Sequence, residues 1–179
     1  MRGTVSSAGT PRRIGGESPL SRFRLLNAAE GWLELGDWQS ANDELENITP
    51  TLRAHPDVLK MRVAVYLAAK HWELALAVAE TVVKLLPGDL YGWIHRSFAL
   101  HELKRTAEAR EKLKPAAKKF PKQHLVFYNL ACYACQLGDL KEALRQLGKA
   151  IHLAGQRDIR LLALEDRDLE PLWQDIAEV

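Results

Sequence analysis

Ala41, Ala75, Ala109 and Ala143 stand 34 residues apart without slippage, and that period constrains the fold more than any other feature of the chain. Around each alanine the same pattern returns. An apolar residue lies six positions earlier (Leu35, Ala69, Leu103, Leu137), Gly or Lys follows it (Gly36, Lys70, Lys104, Gly138), and another apolar residue lies four positions after the alanine (Leu45, Ala79, Leu113, Leu147). Tandem units of this length with small residues at fixed offsets are helix-turn-helix pairs that bury their apolar faces only by stacking on neighbours. Apolar residues recur at 3.6 rather than 2 within each unit, which predicts an all-α array with turns near Gly36, Lys70, Lys104 and Gly138 and no strand.

The array divides into four units at about 22–55, 56–89, 90–123 and 124–155. Pro50 and Pro115 fall inside second helices, where a lost backbone donor predicts a bend or an early stop. Thr106 is the expected cap of the second helix of unit three. Gly155 is expected to end the fourth unit as a left-handed cap. Beyond it, residues 156–179 do not complete a fifth unit, yet Ile159, Leu161, Leu162, Leu164, Leu169, Leu172, Trp173 and Ile176 are too apolar for a free tail. Two short helices, about 157–164 and 168–177, are expected to cover the second helix of the last unit, with Trp173 as a buried anchor.

Composition narrows the function classes. At 47% apolar and 27% charged the chain is an ordinary globular one, with a net charge of +2. Arg2, Arg12, Arg13, Arg22 and Arg24 face only Glu17 in the opening segment, so the body is mildly acidic and lacks the basic field a nucleic-acid surface needs. Residues 1–20, rich in Gly, Ser, Thr, Pro and Arg, are expected to be a disordered basic arm, with a transit peptide as the alternative. The segment lacks the apolar core of a secretory signal, and no stretch approaches the roughly 20 apolar residues of a membrane helix. The expectation is a cytoplasmic protein without membrane or nucleic-acid partners. Cys132 and Cys135 are expected to be reduced thiols.

The phased residues resemble the tetratricopeptide repeat over about residues 21–154. In unit four, FYNLACYACQLGDLKEALRQLGKAI is similar to the family pattern throughout; unit three supplies Trp93, Ala109 and Pro121, and unit two Tyr66, Ala75 and Pro87. Arg62 and Arg96 stand where the family usually has Leu, with heads expected to snorkel towards water or an acid such as Glu30. The resemblance implies a right-handed α-solenoid of four repeats with a C-terminal helical cap, first helices lining a concave groove, and a non-enzymatic protein-binding role. It falls outside the subset that clamps acidic chaperone tails. Leu26, Glu30, Met61, Tyr91 and His95 at the corresponding positions provide no cluster of cations.

If first helices line the groove, its floor is Tyr91, Ile94, Phe98 and His101, then Leu125, Tyr128, Cys132 and Cys135, two rows at one-turn spacing. Such a surface suits an apolar peptide or helix, with Phe98 and Tyr128 needed for binding more than for folding. The alternatives are that a second copy of the chain fills it, as in a self-assembling homo-oligomer, or that the basic arm or the bent first unit covers it. Cys132 and Cys135 also form a CxxC. It lies inside a helix with no second Cys pair, so a metal- or thiol-dependent protein helped by His101 is the runner-up from another class. The six histidines show no metal-ligand spacing, and no catalytic residue, cofactor or metal is expected. Lys104, Arg105, Arg110, Lys112, Lys114, Lys118, Lys119 and Lys122 make a basic stretch, read as a solvated outer face.

Overall fold

The computed structural model describes residues 19–154 and 156–178. The expected arm over residues 1–18 and the left-handed cap at Gly155 lie outside them. Four helix pairs follow in order: α1 (Pro19–Glu34) with α2 (Trp38–Glu46), α3 (Pro56–Ala68) with α4 (Trp72–Leu85), α5 (Leu90–Glu102) with α6 (Thr106–Lys119), and α7 (His124–Gln136) with α8 (Leu140–Ala154). Then come α9 (Gln156–Glu165), a 3-10 segment (Arg167–Leu172) and α10 (Trp173–Glu178). Among the described residues there is no strand.

The four phased turns are built alike. Gly36, Lys70, Lys104 and Gly138 have φ of 78°, 57°, 63° and 78°. At each, the amide of the left-handed residue and the amide after it reach back to close the helix end, as Gly36 N to Leu33 O (3.0 Å) and Asp37 N to Trp32 O (2.9 Å), or Lys104 N to His101 O (2.8 Å) and Arg105 N to Leu100 O (2.9 Å). That pair of hydrogen bonds satisfies carbonyls the helix would otherwise leave unpaired. Asp37 and Asp139 then cap the following helices, accepting from the amides of Ser40 at 3.0 Å and Glu142 at 3.4 Å.

Every phased alanine is fully buried, with Leu45, Ala79, Leu113 and Leu147 packed just beneath, because a methyl at the crossing lets paired helices approach closely. Gly92 does the same between α4 and α5, where an added Cβ would lie 3.0 Å from the backbone nitrogen of Val83. The other phased apolar position varies: Leu103 packs against the main core, but its counterparts at the ends of α1 and α7 do not. Leu35 is 77% exposed and Leu137 42%. Each helix packs on the next, and the first helices α1, α3, α5 and α7 also pack in series, whereas successive second helices are not joined this way. The layer whose members touch their own kind is the tighter, inner one, so the first helices form the inner wall.

Pro50 acts as predicted: α2 stops at Glu46 and the chain resumes as a short 3-10 turn, Pro50–Leu52. Arg53 donates to the freed carbonyls of Ile48 (3.1 Å) and Glu46 (2.8 Å). Pro115 does not break α6, which runs on to Lys119. Arg96 donates to the carbonyl of Lys112 at 2.7 Å in the turn before the proline, and its guanidinium lies over the Trp93 ring. Arg62 reaches Glu46 at 2.8 Å, rather than Glu30. Thr106 is the first residue of α6 rather than its cap, and its hydroxyl turns instead to His101.

Candidate functional site

The inner faces of α5 and α7 carry the two rows picked out from the sequence. Tyr91 is anchored by its hydroxyl, which donates to the Lys60 carbonyl on α3 at 2.9 Å, and its ring packs on His95 with centroids 4.1 Å apart. Burial pushes its hydroxyl pKa up to about 12. Ile94 is partly buried against the main core. Phe98, one turn on, is 38% exposed and meets the edge of Trp72. Leu125, at the start of α7, is 43% exposed. These four form the open part of the rows.

His101, Tyr128, Cys132 and Cys135 do not line an open groove: all four are buried. What brings His101, Tyr128 and Cys132 together is the chain's own 3-10 segment. Tyr128 donates from its hydroxyl to Asp166 Oδ2 at 2.8 Å, and the Cys132 thiol lies 3.6 Å from the same oxygen. His101 Nε2 stands 2.9 Å from Asp168 Oδ2, and its Nδ1 lies 2.9 Å from Thr106 Oγ1. Gln136 donates to the Asp168 carbonyl at 3.0 Å, while Asp166 Oδ1 accepts the Asp168 amide at 2.9 Å and so shapes the turn. The cover is intramolecular, and among the described residues it comes from the C-terminal segment rather than from the first unit.

The physical reason lies in the cap. Leu169 and Leu172 are fully buried in the same core as α5 through α8, so they hold the segment across the inner wall rather than only against α8. Helix α9 packs on α8 as expected, turning Ile159 and Ala163 inward and leaving Leu161 and Leu162 exposed. Trp173 is only half-buried. Its indole donates to the carbonyls of Ala163 (3.0 Å) and Asp166 (3.2 Å), tying α9 to the 3-10 segment.

The two cysteines are free. Cys132 sits in a desolvated place beside two carboxylates, and burial, then the Asp166 and Asp168 charges, push its thiol pKa far up. Burial acts the same way on Cys135. Neither is the activated thiolate a redox CxxC requires. Cys132 Sγ and the carboxylate oxygens of Asp166 and Asp168 lie within 4.8 Å of one another. The sequence reading missed both aspartates, because no periodic pattern contains them and 67 residues separate Asp168 from His101. On the outer side, the basic stretch is largely solvated, with Arg105 paired to Glu108 at 2.7 Å and Arg110 to Asp139 at 2.9 Å. Among the described residues no helix is long and apolar enough to cross a membrane.

No protein-family model and no curated relative matches the sequence. Solved structures do match. MamA 41-end from Desulfovibrio magneticus RS-1 superposes with a TM-score of 0.68 at 15% identity, over 90% of this chain and 95% of that one. TTC0263, a thermophilic TPR protein in Thermus thermophilus, gives 0.67 at 19% identity over 88% and 99%. YrrB, described as a TPR protein with an unusual peptide-binding site, gives 0.65 at 21% identity over 79% and 73%. Identities this low speak to fold alone, and with the phased turns and buried alanines they agree on it: the chain folds as a tetratricopeptide-repeat α-solenoid closed by a C-terminal helical cap.

Proposed function

We propose that the chain is a non-enzymatic protein-interaction module whose inner face, where the C-terminal segment leaves it open, takes a peptide or helix with an apolar side. The observation that carries this is the pair Phe98 and Leu125, large apolar groups 38% and 43% exposed beside a stretch of the same wall that already holds a segment of chain. That segment presents leucines flanked by carboxylates, and it indicates the chemistry the wall accepts. Exposed apolar groups on an inner helical wall suit a peptide or helix with an apolar side. The peptide-binding site reported for YrrB on a similar fold supports the reading. Tyr91, Ile94, Phe98 and Leu125 are the contact residues. His101, Tyr128, Cys132 and Cys135 form the closed end against which a ligand would stop.

A displayed library of random peptides tests it, selected on the full chain and counter-selected on Phe98→Glu. The expected result is enrichment of sequences with two or more apolar residues at helical or alternating spacing. Their affinity should fall at least tenfold in both Phe98→Glu and Leu125→Glu, with unchanged helicity. Failure to enrich any motif, or binders indifferent to both substitutions, would overturn the assignment.

A further inference from the structure

We propose that His101, Cys132, Asp166 and Asp168 form a binding site for one divalent transition metal of the zinc class, which staples the C-terminal segment to the inner wall. The inference is independent of the peptide reading. It rests on a thiol from α7 and two carboxylates, one capping the 3-10 segment and one within it, gathered within 4.8 Å of one another, with an imidazole from α5 against the second carboxylate.

The geometry is close to what a metal needs. Tetrahedral zinc with bonds of about 2.0–2.3 Å holds neighbouring donor atoms roughly 3.3–3.6 Å apart. Here Asp166 Oδ2 and Cys132 Sγ are 3.6 Å apart, Asp168 Oδ2 and His101 Nε2 are 2.9 Å apart, and the thiol and both carboxylates fall within 4.8 Å of one another. The thiol and the two carboxylates are already gathered, and His101, which now touches Asp168 alone among them, would have to move in with its partner carboxylate to complete the set of four. Each hydrogen bond now spanning the cluster has a proton where a cation would stand.

Two further features point to a cation rather than to a hydrogen-bonded cluster alone. First, the site gathers two carboxylates, and among the described residues neither is paired with a lysine or arginine; Asp168 has only His101. A half-buried double negative charge is costly without a counter-charge. Second, an outer shell is in place. Thr106 Oγ1 lies 2.9 Å from His101 Nδ1 and could accept a hydrogen bond there, so that Nε2, which now meets Asp168, would be free to ligate a metal. Tyr128 and the Asp168 amide hold the two oxygens of Asp166. Gln136 fixes the backbone at Asp168. Cys135, one turn away, is not part of the donor set. Ligation requires the Cys132 thiol to release its proton to solvent.

The test is a cobalt titration of the reduced, chelator-stripped full chain, followed by absorption. The expected result is one Co²⁺ per chain with a thiolate-to-cobalt charge-transfer band and tetrahedral d–d bands, all displaced by Zn²⁺, and a melting temperature raised by Zn²⁺. The charge-transfer band should vanish in Cys132→Ser and persist in Cys135→Ser. Affinity should fall at least tenfold in Asp168→Asn, which keeps the shape of the side chain should Cys132→Ser fold poorly. Thr106→Val, which leaves all four donors intact, should weaken binding about 10–100-fold. No band in the wild type, a band that follows Cys135 instead of Cys132, or Zn²⁺ binding unaffected by Asp168→Asn would each overturn the proposal.

Discussion

Two of the four repeat turns place a lysine where the other two place a glycine, and the difference in conformational energy is measurable. Lys70 and Lys104 have φ of 57° and 63°. For a residue with a Cβ the left-handed conformation costs roughly 1–2 kcal/mol. Replacing Lys by Gly removes that cost but loosens the unfolded chain, returning about 0.4–1 kcal/mol. The net gain is roughly 0.5–1 kcal/mol per site. Neither lysine is in an ion pair among the described residues, so no such contact is sacrificed. The sites share no partner, and the gains should add to about 1–2 kcal/mol in the double variant Lys70→Gly, Lys104→Gly. For a chain of this size that is a rise of roughly 2–6 °C in melting temperature. The reverse experiment is cleaner. A Cβ at Gly36 or Gly138 would meet nothing within 4 Å, so Gly36→Ala and Gly138→Ala isolate the backbone term and should each cost about 1 kcal/mol. Thermal and urea unfolding followed by circular dichroism read both directions. Stabilisation absent from the lysine variants, together with a neutral Gly138→Ala, would refute the claim that left-handed turns set the repeat phase.

Three other outcomes follow from packing and charge. Leu169→Ala, at a fully buried position in the cap, should lower stability by about 2–5 kcal/mol, read as a fall in the urea midpoint. Gly92→Ala should cost about 1–3 kcal/mol, because its Cβ meets the Val83 backbone at 3.0 Å and α4 must move off α5. The Glu142 carboxyl is held down to about 2 by its hydrogen bond from Arg145, and that of Asp89 below its usual range by Lys60. Since both are depressed in the folded state, the stability they contribute is complete above about pH 4.5 and is lost as pH falls towards 2; Glu142→Gln should flatten that acid limb in pH-dependent denaturation.

The solenoid was legible because each phased alanine marks a helix crossing, and a crossing tolerates nothing larger. The turns were legible by phase rather than by chemistry. Lysine has no intrinsic preference for the left-handed region, and only the register with Gly36 and Gly138 assigns it there. Phase can also mislead. Leu35 and Leu137 recur with the alanines yet stand in solvent, because the position just before a left-handed residue lies at the helix end, outside the crossing. Pro115 taught a similar lesson. The rule that a proline frees a carbonyl says nothing of what lies across the groove, and the helix runs unbroken past the contact that Arg96 makes from α5. At the site, helical spacing found the two rows. It did not find their occupant, since Asp166 and Asp168 belong to a non-repeating segment whose place is held by the buried Leu169 and Leu172.

That occupant divides the rows into residues with opposite mutational behaviour. Phe98 and Tyr128 looked equivalent by spacing, both fit to take a charge at the expense of binding alone. Phe98 is 38% exposed with an aromatic edge contact, so Phe98→Glu places its carboxylate in water and should change stability by no more than about 0.5 kcal/mol. Tyr128 is 6% exposed and donates to Asp166. Tyr128→Glu removes that donor and sets a third carboxylate beside Asp166 and Asp168, in a place where burial and the Asp166 hydrogen bond already hold the tyrosine hydroxyl pKa far up. The unmade hydrogen bond alone costs about 1–3 kcal/mol, and the like charge adds to it. The cap should therefore lift: the urea midpoint should fall and proteolysis should cut within 165–173, while Tyr128→Phe, losing one hydrogen bond without adding charge, should stay near wild type in cleavage pattern. If Tyr128→Glu is as stable and as resistant to proteolysis as Phe98→Glu, the segment is not seated on α7, and the closed end of the inner face has to be redrawn as open.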